Sequence, residues 1–346
     1  MNLKPRDELY CGVRKAAIDF AKPELNLTNM KHLVEFMTER WKIHVRKDVE
    51  GLPAPWTKNL ILKEFKFTNV FREDDRVTRE LLSLVTNNPA LTLEEKILNS
   101  FLLRAWNNPE TFVALGGPWS AEEIYSGTEL KEKVRPLFRK LAESEPDRLW
   151  WSSAYNQGGT KHAWKFPIGD GYTRVYKESE AKKHTDWEPD IPLRVFHIGT
   201  WLKKQSIVEK LLNAHNQQEC FEVIKSLRGF ADFLAYQVFV DLTYIEEFPF
   251  SENEFTIAGP GCKRGLDYIF IDRDGMTYEE CIFYLRRLLT EDYPSTSAKL
   301  KSLFEPYGRC VNVMSLENCM CELSKYIRAV EGTGRPKNKY KPRKES

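Results

Sequence analysis

The segment Gly259-Pro-Gly-Cys-Lys-Arg-Gly265 combines a Gly-x-Gly pattern with two adjacent cations, a combination suited to gripping a phosphate. Glycines let the backbone approach a phosphate closely, and the free amides of a following helix can bind it. We therefore predict the second half of a helix-hairpin-helix motif here; the alternative is a Gly-Pro turn that joins two helices. The residues predicted to contact nucleic-acid phosphate are Gly259, Gly261, Cys262 and Gly265, with Lys263 and Arg264 adding positive charge.

The segment 229–244 is apolar on nearly all sides, which is typical of a helix in the middle of a domain. Gln237 and Asp241 lie four residues apart in it and therefore share one face. A buried carboxylate is costly unless it is paired or faces a cleft. Asp241 is accordingly a candidate general acid or base, or an anchor for a ligand. The alternative is a structural aspartate that holds a neighbouring loop or arginine.

Two further groups of polar residues stand close together in the sequence. The first group, in the segment 67–76, consists of Asn69, Arg72, Asp75 and Arg76. The second group, near the C-terminus, consists of Asn318, Glu322 and Lys325, which would share a helix stripe opposite the apolar one. Acidic residues at a helix start and a solvated helix face explain these groups as well as a binding site does. Neither group is decisive by itself.

The bulk properties describe an ordinary soluble globular protein that can bury a large core. Of its 346 residues, 42% are hydrophobic and 29% are charged, and no apolar run is long enough to span a membrane. The N-terminus lacks the apolar core of a signal peptide. Seven cysteines without a CxxC pair indicate reduced thiols, and six scattered histidines make a zinc site an unlikely interpretation. The net charge of +2 says little by itself about nucleic acid.

Helices are the elements that must position the candidate residues. Four capping-box patterns mark helix starts, and Thr28 or Asn29 and Ser315 are predicted to cap two more helices. The four capping boxes begin at Thr92, Ser120, Ser206 and Thr277. The exception is the stretch 149–196, where the sequence predicts an irregular insertion with a β-hairpin that turns at 169–171.

We therefore predict a mainly α fold with one large helical catalytic domain, residues 1–330. Its two helical halves, about 28–145 and 200–330, flank the insertion. The segment 332–346 is predicted to be a basic flexible tail, because it carries six cations against one acid. Such a tail either reaches along phosphates or only keeps the protein in solution.

Several motifs in a fixed order carry a resemblance to a known family. They are Glu39-Arg40, Pro55-Trp56-Thr57, Phe67-Thr-Asn-Val-Phe-Arg-Glu-Asp-Asp-Arg-Val-Thr78, the helix with Phe233-Leu-Ala-Tyr-Gln and Asp241-Leu242, Gly259–Gly265, and Glu317-Asn-Cys-Met-Cys-Glu with Lys325-Tyr326. The chain resembles, from about residue 30 to 342, the bacteriophage thymine-hypermodification family of alpha-glutamyl/putrescinyl-thymine pyrophosphorylases, or amino acid:DNA transferases. The helical domain of 5-hydroxymethyluracil DNA kinases is similar.

The resemblance implies a scaffold like that of helix-hairpin-helix DNA glycosylases. In bifunctional glycosylases a catalytic lysine follows the hairpin glycines, and Lys263 occupies the similar position here. The glycosylase aspartate lies roughly 18 residues further along the chain, where this chain has Glu279, Glu280 and Cys281 and no aspartate. That departure favours modification of a base over its excision.

The implied reaction replaces the pyrophosphate of a pyrophosphorylated 5-hydroxymethyluracil in DNA with an amine, after the base has left the stack. Cations would stabilise the leaving pyrophosphate, and a carboxylate would take the proton of the incoming ammonium. The residues expected to be catalytic are Lys263, Asp241 and Glu322. Those expected to bind substrate or pyrophosphate are Arg40, Asn69, Arg72, Asp75, Arg76, Gln237, Arg264, Asn318 and Lys325.

The expected partners are double-stranded DNA with a modified base and a free amino acid or polyamine, in the cytoplasm of the infected host. No cofactor is certain, although a divalent metal such as Mg²⁺ can assist pyrophosphate departure, and no residues form a recognisable metal motif. Three alternatives stay open: a DNA base kinase, a DNA glycosylase and a non-catalytic DNA-binding protein. The kinase is disfavoured because the Walker pattern GxxxxGK[ST] is absent from the sequence.

Overall fold

The computed structural model describes residues 13–145, 150, 164–168, 171–175, 191–227, 229–336 and 339–340. Within these residues the chain forms sixteen α-helices and two small antiparallel sheets, which confirms the predicted mainly α class. The helices are α1 (Lys15–Phe20), α2 (Leu27–His44), α3 (Leu60–Glu64), α4 (Arg76–Leu81), α5 (Leu93–Trp106), α6 (Pro109–Ala114), α7 (Ala121–Ser126), α8 (Thr128–Ser144), α9 (His197–Lys204), α10 (Ile207–Leu212), α11 (Gln217–Ser226), α12 (Asp232–Leu242), α13 (Pro260–Ile269), α14 (Tyr278–Arg287), α15 (Pro294–Phe304) and α16 (Val313–Val330). The strands are β1 (Glu24–Leu25), β2 (Trp164–Ile168), β3 (Gly171–Val175) and β4 (Phe270–Asp272).

The chain divides into two compact units. Unit 1 consists of Met1–Asp75 and Glu252–Ser346, and unit 2 is the continuous segment Arg76–Ser251. This grouping differs from the predicted halves 28–145 and 200–330, because helices from the two ends of the chain pack together in unit 1. Hydrophobic periodicity shows which face of a helix is buried but not which helix covers it. The sequence pattern therefore contained no signal for this pairing.

In unit 1, α13 packs unusually closely against α16, and glycine makes that contact possible. A Cβ on Gly265 would stand 2.1 Å from the carbonyl oxygen of Met320, and one on Gly261 would stand 3.0 Å from the Sγ of Cys321. The predicted hairpin is therefore wrong: Gly259 is the N-cap of α13, and the following residues form its first two turns. The preceding helix α12 ends long before, at Leu242, and no tight turn joins the two helices.

Unit 2 is built around α5, in which every side chain from Lys96 to Trp106 is buried. Trp106 lies against Phe196 at a centroid distance of 5.3 Å and against Trp119 at 5.9 Å. Strands β2 and β3 pair antiparallel, with Ile168 opposite Gly171, which confirms the predicted β-hairpin. The rest of the predicted insertion lies largely outside the described residues.

The predicted helix starts are partly confirmed. The capping boxes at Thr92, Ser120 and Thr277 are present with both hydrogen bonds. Ser206 precedes α10 but has a left-handed backbone and makes no capping hydrogen bond. The predicted caps Thr28 or Asn29 and Ser315 are wrong, because asparagines three residues before Asn29 and Ser315 cap these helices. Asn26 accepts from the amide of Asn29, and Asn312 accepts from that of Ser315.

The C-terminal segment is only partly as predicted. The amide of Gly334 donates to the carbonyl of Arg328 at 3.1 Å, and Pro336 is buried. Further along, Lys339 pairs with Phe65 in an antiparallel bridge. These residues are therefore packed against unit 1 and do not form a free tail; residues 337–338 and 341–346 lie outside the described part of the chain.

Candidate active site

Three segments of unit 1 bring seven of the predicted site residues together. Helix α2, the segment between α3 and α4, and α16 each contribute to this group, which we call the polar cluster. The polar cluster consists of Arg40, Thr68, Asn69, Arg72, Asp75, Asn318, Glu322 and Lys325. Of these residues, Thr68 was not singled out from the sequence.

Aromatic side chains hold the three segments in place. Phe36 of α2 and Phe67 lie 5.6 Å apart between ring centroids, and Tyr326 of α16 lies 5.6 Å from Phe36. Nearby, Trp41 contacts Phe71 edge-on at 5.3 Å. Because edge-to-face pairs fix the relative position of rings as well as burying area, the backbone of residues 67–71 has little freedom between the two helices.

Arg40 lies half-buried at the centre of the polar cluster. Its Nε donates to the carbonyl oxygen of Thr68 at 2.9 Å. Burial lowers the pKa of the guanidinium, and the carboxylates of Asp75 and Glu322 oppose that effect. Within the described residues, its terminal nitrogens Nη1 and Nη2 have no hydrogen-bond acceptor. They are therefore available to bind an anionic group.

Thr68 links α16 to this arginine. Its backbone amide donates to Glu322 Oε2 at 3.4 Å, and its hydroxyl accepts from Asn318 Nδ2 at 3.0 Å. The other carboxylate oxygen of Glu322 accepts from Lys325 Nζ at 2.6 Å. Glu322 is 4% exposed, so this carboxylate is buried and stabilised by a lysine on its own helix.

Asp75 is a carboxylate of the polar cluster with a pKa raised towards neutral pH. Burial raises the pKa of its carboxyl to about 6, although the hydrogen bond from the Asn69 amide and the charges of Arg72 and Arg40 lower it. The Asn69 amide donates to Oδ1 at 2.9 Å, and Oδ2 has no partner among the described residues. A carboxyl group with such a pKa can exchange protons at physiological pH.

The raised pKa of Asp75 has a consequence for stability. Because the folded state keeps a proton that the unfolded state releases between about pH 4 and 6, the free energy of unfolding should fall over that range. The Asp75→Asn variant lacks this loss. At pH 7 we expect the free energy of unfolding of Asp75→Asn to exceed that of the wild type by about 1–3 kcal/mol. At pH 4 the two proteins should differ little in stability. Urea unfolding of both proteins at a series of pH values measures the difference, and a pH-independent difference would contradict the shift.

A second set of buried charges holds the turn that carries Arg72 and Asp75. Arg309 Nη2 lies 2.7 Å from Asp74 Oδ1, and Arg309 Nη1 lies 3.4 Å from Glu73 Oε1. On the other side of Asp74, Nε2 of His44 lies 3.7 Å from Oδ2. Burial raises the pKa of Glu73, and the charge of Arg309 opposes that effect. These contacts position the turn, which contributes Arg72 and Asp75 to the polar cluster.

Glu317 connects the predicted phosphate-binding segment to Arg72. Its Oε1 accepts from the amide of Gly259 at 3.4 Å, and its Oε2 lies 3.6 Å from Arg72 Nη1. Burial raises the pKa of this carboxyl, and Arg72 lowers it. The amides of Gly261 and Cys262 belong to the first turn of α13, where a helix supplies no acceptor, but Cys262 is buried. Glu317 was not predicted as a site residue, although it lies next to Asn318 in the motif.

Lys263 and Arg264 are exposed on α13. The Nζ of Lys263 lies 5.4 Å from the centroid of the Tyr278 ring, and Arg273 approaches the same ring at 4.1 Å. The predicted catalytic role of Lys263 stays a prediction. No hydrogen bond or ion pair of the described residues joins it to the polar cluster.

The remaining predicted site residues belong to unit 2, and two of them are ion-paired there. Asp241 is 1% exposed and accepts from Arg104 through both oxygens, at 2.6 Å to Nε and 2.5 Å to Nη2. This ion pair is what the structural alternative for Asp241 predicts, and the catalytic role of Asp241 stays a prediction. Arg76 forms an exposed ion pair with Glu110 at 2.5 Å, and Gln237 is buried. Arg104 gave one signal in the sequence, as a cation directly after the apolar run Phe101-Leu102-Leu103.

Neither a metal site nor a membrane span is found in the described residues. No three of their His, Cys, Asp or Glu side chains are placed to hold a metal ion. The expectation that Mg²⁺ assists the reaction stays an expectation. None of their helices has the length and apolar character needed to cross a bilayer.

Comparison with known proteins identifies relatives of the chain. The family model described as "5-hmdU DNA kinase, helical domain" matches residues 28–335. A 5-hmdU DNA kinase of Bacillus phage SP10 is 27% identical over 306 residues. That match covers 84% of this chain but 44% of the relative, so the chain spans less than half of that protein. No solved structure gave a significant match.

Proposed function

Because this chain belongs to the family of the 5-hmdU DNA kinase helical domain, we propose that it acts in the hypermodification of thymine in phage DNA. The proposed activity is that of a transferase, which replaces the pyrophosphate of pyrophosphorylated 5-hydroxymethyluracil with an amino acid or a polyamine. The proposed substrate is double-stranded DNA in the infected host cell. A scaffold related to helix-hairpin-helix glycosylases stays part of this proposal, without the hairpin itself.

The reaction makes three chemical demands. The amine nitrogen forms a bond to the exocyclic carbon of the base as the bond from that carbon to the pyrophosphate oxygen breaks. The pyrophosphate leaves with the electron pair, so cations must stabilise its charge. The incoming amine is an ammonium ion near neutral pH and must lose a proton before its nitrogen can attack, so a carboxylate is needed to accept that proton.

The polar cluster is the observation that carries the proposal. It holds three cations, Arg40, Arg72 and Lys325, beside the two carboxylates Asp75 and Glu322. We assign pyrophosphate binding to the cations, with Arg40 the strongest candidate because its terminal nitrogens have no acceptor in the described residues. We assign proton transfer to Asp75, since a pKa of about 6 makes its carboxylate both available and basic near neutral pH. Glu322 is a weaker candidate, because Lys325 and the Thr68 amide already bind its two oxygens.

The test is a transfer assay on duplex DNA that carries pyrophosphorylated 5-hydroxymethyluracil, with a mixture of amino acids and polyamines. The DNA is digested to nucleosides, which are identified by mass spectrometry. An aminated thymidine supports transfer, a free base or abasic site supports excision, and unchanged DNA contradicts both activities.

The Asp75→Asn variant should transfer about 100-fold more slowly than the wild type in this assay. The rate of the wild type should rise with pH through about pH 6, as the Asp75 carboxyl loses its proton.

A matched control is Asp292→Asn, an exposed carboxylate of the same unit that pairs with Arg287. It should keep the wild-type transfer rate. Equal rates for Asp75→Asn, Asp292→Asn and the wild type would remove Asp75 from the mechanism while leaving the transferase activity intact. Arg40→Gln, which keeps a polar side chain, tests the pyrophosphate role in the same assay.

Kinase activity is the second candidate, because both the family model and the phage relative carry the kinase description. Such an activity transfers a phosphoryl group to the hydroxymethyl oxygen of the base. Against it stands the absence of a Walker pattern from the 346 residues. Incubation with ATP and 5-hydroxymethyluracil DNA distinguishes the two: phosphorylated nucleosides would favour the kinase.

A further inference from the structure

The C-terminal segment of unit 1 is anchored to the residues around α3. The amide of Tyr340 donates to the carbonyl oxygen of Glu64 at 2.8 Å, and Lys339 pairs with Phe65 in the antiparallel bridge. In addition, the Nζ of Lys339 lies 2.8 Å from Glu64 Oε1. Two backbone contacts and an ion pair thus fix residues 339–340 in place.

An aromatic pair strengthens this anchor. The rings of Tyr340 and Trp56 meet edge-on at 5.5 Å, and the indole nitrogen of Trp56 donates to the carbonyl of Leu52 at 2.6 Å. The ammonium of Lys47 lies 5.7 Å from the Trp56 ring centroid and 6.0 Å from that of Tyr340. Cation–π contacts of this kind hold the positive charge of Lys47 beside these two half-buried rings.

The surface around the anchor is basic. Lys63 and Lys66 flank Glu64 and Phe65 in the chain, and the hydrogen bond from Lys339 and the charge of Arg335 lower the pKa of the Glu64 carboxyl. Lys63, Lys66 and Arg335 are exposed and have no ion pair within the described residues. A fifth cation, Lys47, lies 3.6 Å from Asp48, and Lys339 pairs with Glu64. The other three have no carboxylate partner among the described residues, and the sequence continues from Tyr340 with Lys341, Arg343 and Lys344.

We propose that this surface, formed by Lys47, Lys63, Lys66, Arg335 and Lys339 around the Trp56–Tyr340 pair, binds the sugar-phosphate backbone of duplex DNA. Exposed cationic side chains on flexible stems can each reach a phosphate of a polyanion whose charges are spaced along its length. The inference rests on the proposed function only for its choice of DNA as the polyanion.

No hydrogen bond or ion pair of the described residues joins these five cations to the polar cluster; Lys47 pairs with Asp48, and Lys339 pairs with Glu64. We therefore assign the surface to holding the polymer and not to the reaction. Backbone contacts position a duplex without reading its bases. Binding should therefore be insensitive to sequence and to the presence of the modified base. Its dependence on salt should be steep, since each neutralised phosphate releases counterions.

The experiment measures the affinity of the full-length protein for an unmodified, fluorescently labelled 20–30 base-pair duplex (about two to three turns). The Lys66→Gln, Arg335→Gln, Lys339→Gln triple variant should bind about tenfold or more weakly at low salt. The slope of log Kobs against log salt should fall by about 2–3, because each lost phosphate contact contributes about 0.9. Thermal unfolding of the variant confirms that it is folded.

The matched control neutralises three exposed lysines elsewhere in unit 1, with Lys31→Gln, Lys299→Gln and Lys301→Gln. It makes the same change in net charge and should bind nearly as tightly as the wild type. Equal losses in both triple variants, or an unchanged salt slope in the first, would overturn the proposal. Because the duplex carries no modified base and no amine is present, a failed transfer assay does not affect this result.

Discussion

The Asp241→Ala variant is expected to lower the free energy of unfolding by about 3–5 kcal/mol. Removing this carboxylate leaves the guanidinium of Arg104, which is 4% exposed, buried without its anionic partner. Arg104 also donates to Asn107 at 3.0 Å and to Thr78 at 3.3 Å, so the loss disturbs a network that joins α4, α5 and α12. Urea unfolding followed by circular dichroism measures the change, with the transition of each unit fitted separately if two appear.

Two controls make this result interpretable. Glu110→Ala removes the partner of Arg76 from an exposed ion pair in the same unit, with side chains 43% and 46% exposed. It should change stability by less than about 1 kcal/mol. The Arg104→Met, Asp241→Leu double variant should recover much of the loss, because an apolar pair replaces both charges. If Asp241→Ala costs no more than Glu110→Ala, the pair is not structural, and the catalytic interpretation of Asp241 regains support.

The Gly265→Ala variant is expected to destabilise unit 1 by about 3 kcal/mol or more, at the upper end of the usual cost of overpacking. The added Cβ would stand 2.1 Å from the Met320 carbonyl oxygen and 2.7 Å from its carbon. Both are backbone atoms of α16, so a change of side-chain rotamer does not relieve the clash. The helices must move apart, which also shifts the residues of α16 in the polar cluster.

A graded series of glycine variants tests the packing interpretation. Gly261→Ala meets a cysteine side chain at 3.0 Å, and Gly259→Ala meets Glu317 Oε1 at an ordinary 3.5 Å. The loss of stability should therefore decrease from Gly265 to Gly261 to Gly259. Measuring duplex binding by the same variants distinguishes helix packing from phosphate binding as the role of these glycines. A Gly265→Ala protein with wild-type stability and weakened DNA binding would return the glycine to the phosphate-binding role predicted from its sequence.

The glycine segment illustrates what the sequence could and could not predict. Gly259–Gly265 carries a pattern that serves either a phosphate contact or a close helix contact, since both require the absence of a side chain. The choice depends on whether another backbone lies opposite, and the partner α16 is some fifty residues away in the chain. Local pattern therefore located the constrained residues correctly but assigned a hairpin where the structure has a helix.

The residues of the polar cluster were selected by motif order, and their roles in a site stay predictions. Arg40, Asn69 and Glu322 belong to three distant motifs, and the structure places them on connected hydrogen bonds in unit 1. Thr68 and Glu317 were missed because a threonine hydroxyl and one more helical glutamate carry no distinctive spacing. The Arg104 contact was missed for a different reason: a buried aspartate predicts that a partner exists but does not identify it.

The helical content was predictable from capping boxes and apolar stripes, but the division into units was not. Capping is a local property of four residues, as at Thr92 and Thr277. Which helices share a core depends on the sum of many weak contacts across the chain. Unit 1 accordingly gathers its helices from both ends of the sequence.

That discontinuity sets the order in which the protein can mature during synthesis. Unit 2 is one continuous segment and can fold as soon as Ser251 has left the ribosome, as domains commonly do. Arg40 and Asp75 are made earlier but stay without their partners until α16, with Asn318 and Glu322, has been translated. A chain released before that helix would contain a finished unit 2 and no polar cluster. Any property that depends on the polar cluster is thus acquired last, after the synthesis of α16.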